Sequence, residues 1–179
     1  KWHKNGQLAS ELNYLIGKID GLSKAWYDNG NLKSSINYRD GVHEGVFNEL
    51  YKNGQLKSEA KYQGGKIKGS HREWHDNGQI KREYHSNNSK IDGLYKIWYK
   101  NGQLELEYIY SNGVKDGANK RWNMSGKLIE EDNFKNGQRN GISKSWYDNG
   151  QIRYVGEFKE GTLISKKEWD SKGNLIKSH

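Results

Sequence analysis

His71, Glu73 and His75 alternate along the run His71-Arg72-Glu73-Trp74-His75, the one stretch of this chain that could assemble a metal site. Alternate residues of a strand face the same way, so three ligand-type side chains would project together, and His85 on the next strand could approach them. The equivalent positions in other copies of the same pattern read Ser23, Ala25 and Tyr27, or Tyr95, Ile97 and Tyr99. Those sets cannot ligate zinc, so neither a metal nor a cofactor is expected. Carboxylates recur at a second column: Glu11, Glu59, Glu83, Glu107 and Glu131. Acid–base catalysis needs two carboxyls in different environments. A Glu repeated at one strand position reads instead as an exposed face balanced across strands by Lys96 and Lys120. No Ser stands in a G-x-S-x-G elbow, and the absence of cysteine removes thiol catalysis, disulfides and zinc ribbons together. The chain does not read as an enzyme.

Aromatic residues interleaved with cations make the stronger case. Tyr27, Tyr51, Tyr99 and Tyr147 recur with Lys33, Lys57, Lys81 and Arg153 nearby. Together they would offer stacking platforms and positive charge to a single-stranded nucleic acid, to anionic headgroups, or to a partner protein, whose contact surfaces are rich in Tyr and Arg. The net charge is +8, yet Lys and Arg are usually beside Glu or Asp and no five like charges adjoin. That alternation weakens both anion readings. A protein partner is preferred, an anionic membrane surface is the alternative, and nucleic acid is not expected.

The elements that would carry these columns follow from a repeat. Trp2, Trp26, Trp74, Trp98, Trp122 and Trp146 stand on a comb with teeth 24 residues apart, Leu50 fills the missing tooth, and Trp169 arrives one residue early. Four places after each tooth comes Gly6, Gly30, Gly54, Gly78, Gly102, Gly126 or Gly150, preceded by Asn in every copy but the one with Ser125. Aliphatic and aromatic columns follow (Leu32 and Tyr38 in the second copy), and two further glycine columns, such as Gly41 and Gly45, close most units. A period of this length means one supersecondary unit stacked on copies of itself. Asn-Gly between apolar-containing runs is a hairpin signal, the runs 22–27 and 31–38 have strand length, and no Pro interrupts a ladder. A three-residue loop with a left-handed Gly would set Trp26 opposite Leu32. That register gathers Leu22, Trp26, Leu32, Ile36 and Tyr38 on one face and leaves Tyr27, Lys33 and Ser35 on the other. The alternative two-residue turn would set Trp26 opposite Lys33. Burial of one apolar face, at roughly 25 cal/mol per Å², favours the three-residue loop, and the Trp column becomes a structural spine.

The expected fold is all-β: one elongated, single-layer antiparallel meander over residues 1–179, with seven hairpins and a partial eighth at 169–176. Hydrophobic residues are 32% of the chain, too few for a thick two-layer core. About fourteen strands at ~4.8 Å spacing would make a sheet on the order of 65 Å long, which should twist. No apolar run is long enough to cross a membrane as a helix. Exposed strand ends around 1–8 and 169–176 would allow homo-oligomers by edge pairing. The first residue is Lys1 rather than Met, which fits either a removed signal peptide or a fragment boundary.

The pattern W-Y-x-N-G-Q-L-x-x-E-x-x-Y-x-x-G-x-x-x-G, clearest at Trp2-to-Gly21, Trp98-to-Gly117 and Trp146-to-Gly161, resembles the bacterial variant of the MORN repeat. That group includes YwqK-like proteins described as antitoxin components. The resemblance implies a hairpin meander used for protein contacts or, in some relatives, for placement at membranes. It suggests a cytoplasmic antitoxin-like scaffold; the other version expected is an exported module that meets its partner at the cell surface. Such repeats also occur beside phosphatidylinositol-phosphate kinase domains, but this chain has no G-x-G-x-x-G with a strand Lys, no H-R-D and no D-F-G. A kinase label would therefore reflect the repeat and not catalysis.

Overall fold

The computed structural model describes residues 1–179, which form two compact units, 1–90 and 91–179. No helix is present in either. The first unit contains β1 (Ser10–Glu11), β2 (Tyr14–Leu15), β3 (Lys18–Ile19), β4 (Gly21–Trp26), β5 (Leu32–Arg39), β6 (Val42–Leu50), β7 (Leu56–Gln63), β8 (Lys66–Trp74) and β9 (Ile80–Asn87). From β4 to β9 each strand pairs antiparallel with the next, β1 adds to β4, and β2 and β3 form a small hairpin of their own. The second unit contains β10 (Lys90–Trp98), β11 (Leu104–Ser111), β12 (Val114–Lys115), β13 (Gly117–Trp122), β14 (Leu128–Lys135), β15 (Gln138–Arg139), β16 (Gly141–Trp146), β17 (Ile152–Lys159), β18 (Thr162–Trp169) and β19 (Leu175–Ser178). It is likewise an antiparallel meander, in which short β12 and β15 extend the pairing of β11 and β14 at one end.

Two kinds of turn alternate along the chain. At the Asn-Gly column Gly30 N–H donates to Tyr27 O (3.0 Å), Tyr27 N–H donates to Asn31 O (2.8 Å), and Gly30 has φ 85°. This is the three-residue loop with a left-handed Gly, as the burial argument favoured. Asn29 is kept because its amide oxygen accepts the Asn31 N–H at 3.1 Å, and Asn5, Asn53, Asn77, Asn101 and Asn149 do the same. At the other end the connection is a two-residue turn with both residues at positive φ, as in Asp40-Gly41 (51° and 86°). The third column of glycines has a different reason. Gly21, Gly45, Gly93, Gly117 and Gly141 each lie opposite an aromatic residue on the next strand: Tyr38, Tyr62, Tyr110, Phe134 and Phe158. The copy that lacks the aromatic has Ser86 opposite Gly69, and Ser86 is fully buried.

Trp26 stands opposite Leu32 as expected, but the register shifts by one residue between Ala25 and Trp26, leaving Lys33 as an extra residue on β5. The same shift recurs at Leu50, Trp74, Trp98, Trp122, Trp146 and Trp169. One added residue exchanges the two faces beyond it. The face expected to hold Leu22 with Ile36 is therefore not formed. Ser23 faces Ile36, both buried, while Leu22 faces Asn37 and is exposed.

The hydrophobic core is thin. Ile36 and Ala60 are the only buried hydrophobic residues, and in the first unit they are joined by buried Ser23, Ser58 and Ser86, while the buried polar residues of the second unit are Asn119, Asp132 and Ser143. Half-buried rings supply the remaining packing. Tyr38, His43 and Tyr62 meet edge-to-face at centroid distances of 4.8 and 5.0 Å in the first unit. Tyr95, Tyr108 and Tyr110 cluster at 5.8–6.4 Å in the second.

Candidate functional site

The His-Glu-His run does not converge. His71 lies opposite Tyr84 and stacks on its ring at 4.7 Å, while Glu73 lies opposite Arg82 and is bonded to it. His85 lies opposite Ser70, one register position from the His71–Tyr84 pair, and so on the other face of the sheet. The expected approach of His85 to His71 is therefore overturned by the pairing. Burial holds the His71 imidazole below its ordinary pKa, against the opposing pull of Glu73 and with the help of Arg82. The Glu column forms cross-strand ion pairs: Lys96–Glu107 at 3.2 Å, Lys120–Glu131 at 3.6 Å and Arg72–Glu83 at 2.7 Å.

The tyrosines after the Trp column have a structural duty that periodicity alone does not reveal. Tyr27 donates its hydroxyl to Leu50 O (2.8 Å), Tyr51 to Trp74 O (2.7 Å), Tyr99 to Trp122 O (3.0 Å) and Tyr147 to Trp169 O (2.9 Å). Each thus ties its own loop to the Trp-column position of the following repeat. His3 reaches Trp26 O in the same way at 2.9 Å. With the hydroxyl engaged, what each Tyr offers outward is a ring face. Lys33 lies 5.8 Å from the Tyr27 centroid and the Arg153 guanidinium 5.9 Å from that of Tyr147.

Residues of the Trp and Tyr columns line common clefts, Tyr51 with Trp74 in the first unit and Tyr147 with Trp146 and Trp169 in the second. Each unit has a cleft built from them. In the first, Tyr51, Lys57, Lys81 and Trp74 surround about 250 Å³ together with Glu49, Ser58 and Glu73. Lys57 is paired with Glu49 at 2.8 Å, which raises its pKa, and Lys81 lies 3.9 Å from Glu73. In the second unit a larger cleft of about 680 Å³ has Trp146, Tyr147, Tyr154 and Trp169 as its aromatic lining and Arg121 and Arg153 as its cations. Five of the eight candidates thus line clefts: Tyr51, Lys57, Lys81, Tyr147 and Arg153. Tyr27, Lys33 and Tyr99 do not line either.

Sequence reasoning missed Arg121, Tyr154 and Glu168 of the larger cleft. They occupy one row across neighbouring strands, Arg121–Glu130–Ser145–Tyr154–Glu168. Their columns hold unrelated residues in other copies, so the period hides them. Gly156 was a readable signal, because it replaces larger residues such as Ile36, Ala60 and Tyr84 at its column. A Cβ there would fall 2.1 Å from the Tyr154 hydroxyl, so Gly156 makes the room in which that ring lies.

Seven segments match the family described as MORN repeat variant: residues 1–15, 19–40, 44–63, 67–88, 91–112, 115–136 and 139–160. No curated protein matches the chain.

Proposed function

The chain belongs to the MORN repeat variant family, and from that premise we propose that it is a non-enzymatic scaffold, working as one repeat domain, that binds a protein partner. The observation that carries this reading is the cleft of the second unit, where Trp146, Tyr147, Tyr154, Trp169, Arg121 and Arg153 come together. Trp, Tyr and Arg are the residues in which binding energy concentrates at protein interfaces. Tyr51, Lys57 and Lys81 extend the same chemistry to the first unit. In the narrower form drawn from the YwqK-like resemblance, the partner is a toxin that the scaffold masks. The test is affinity capture from the native lysate and culture medium with the whole chain as bait, beside an Arg153→Glu bait. A dominant protein held by the first and lost from the second supports the reading. A protein held equally by both places binding elsewhere, and a blank from both removes the protein partner.

The net charge of +8 carries a second reading, an exported or membrane-associated module that meets anionic lipid. It predicts retention on anionic vesicles that weakens with salt, and no retention at low salt eliminates it.

A further inference from the structure

A smaller pocket of about 50 Å³ adjoins the large cleft of the second unit. It is lined by Tyr108, Lys115, Asn119, Asp132 and Phe134, and it shares Arg121 and Glu130 with the cleft. The shared pair is ion-paired at 2.9 Å and lines both spaces. Every carboxylate of the two spaces already has a cationic or hydrogen-bonding partner. Glu130 has Arg121, Asp132 has Arg139 at 3.3 Å, Glu168 has Lys166 at 2.7 Å, and Asp148 accepts from the Asn123 amide at 2.9 Å.

The cations are not all matched. Lys115 stands 3.8 Å from the Tyr108 centroid and 5.2 Å from that of Phe134, with no carboxylate at ion-pair distance. Arg153 lies over Tyr147 and likewise has none. Asn119 is 4% exposed, its Oδ1 accepts the Ile109 N–H at 3.3 Å, and its Nδ2 has no acceptor. The Oδ1 bond fixes which end of the amide is the donor, and an unmet buried donor is costly. Two cations without an ion-paired carboxylate, one of them packed on two rings, and one buried amide N–H are left asking for anionic oxygen. Burial also lowers the Lys115 pKa, with the help of Arg139 and against the opposing pull of Asp132 and Glu130.

We infer that the second-unit cleft docks an acidic polypeptide segment, with one carboxylate against Arg153 at the Trp146–Trp169 side and another against Lys115 and Asn119 in the side pocket. This rests on the protein-partner reading and names the chemistry of the partner. The Tyr108 and Phe134 rings position Lys115 before binding, so the anion meets an ordered cation in the side pocket. The sign agrees with the chain's net charge of +8.

The experiment selects a displayed library of random ten-residue peptides on the immobilised full chain and on Lys115→Met and Arg153→Gln chains. Met keeps an unbranched stem over the rings, and Arg153 is exposed, so both variants should fold; thermal melts check this. The inference expects peptides rich in Asp or Glu beside an aromatic residue, binding each variant roughly tenfold or more weakly. Peptides without acidic residues, equal binding to both variants, or no selection at all would overturn it. So would binding of anionic vesicles that displaces the selected peptides' place as the favoured ligand. If a captured protein still needs Arg153 while the library fails, only the acidic assignment falls; if no protein is captured, the broader reading falls with it.

Discussion

Removing the tyrosine ties should loosen the repeats by a calculable amount. In the second unit Tyr99 and Tyr147 donate to Trp122 O and Trp169 O at 3.0 and 2.9 Å, and the two bonds share no residue. Tyr→Phe deletes one neutral hydrogen bond and keeps the ring. The acceptors belong to half-buried residues, so water can replace part of the loss, and each substitution should cost about 1 kcal/mol. Separate partners make the costs additive, so Tyr99→Phe/Tyr147→Phe should lose about 2 kcal/mol. For a chain of this length that corresponds to a fall in Tm of roughly 4–8 °C, a large part of a normal margin of ~5–15 kcal/mol. Tyr14→Phe is the control, since Tyr14 is 61% exposed. Urea unfolding followed by circular dichroism gives the free energies. A double variant within about 0.5 kcal/mol of the parent, or level with the Tyr14 control, would refute the claim that these hydroxyls join repeat to repeat.

Three further outcomes are expected. Gly156→Ala should drive the Tyr154 ring from its place and cost about 1–3 kcal/mol, with altered near-ultraviolet dichroism; adding Tyr154→Ser should recover most of the stability. Burial lowers the His71 pKa, so its folded pKa lies below the unfolded value of about 6.5. The unfolded chain then binds the proton first, and stability falls as pH drops through the window just below 6.5; His71→Gln should flatten that part of the stability–pH curve. Lys96→Ala, which opens the half-exposed pair with Glu107, should cost no more than about 1 kcal/mol, and a double-mutant cycle with Glu107→Ala reads the pair directly.

The repeat, the hairpins and the three-residue loop were legible because each depends on residues that announce themselves: Trp, Asn-Gly and an aliphatic two places on. The exchange of faces was not. It is produced by one extra residue at positions such as Lys33, where no glycine marks a bulge, so an alternation counted along β5 from Leu32 fails to place Ile36 correctly. The Tyr ties were hidden for a related reason. Their acceptors are backbone carbonyls, and a carbonyl leaves no trace in composition. Periodicity found Tyr147 and Arg153 but passed over Arg121 and Tyr154, because a binding site on a repeat is made by departures from the repeat. Lys115 and Asn119 likewise became visible only once pairing set them beside Tyr108 and Phe134.

The most direct test of the binding account installs a photoactivatable benzoylphenylalanine at exposed position 176, which lines the large cleft without being one of its cations, or at exposed position 159, outside it. Each chain is irradiated in the native lysate and in culture medium. A single dominant protein adduct from position 176, absent from position 159, is the predicted result. Adducts of equal yield from both positions, or none from 176, would contradict a scaffold that meets its partner through this cleft.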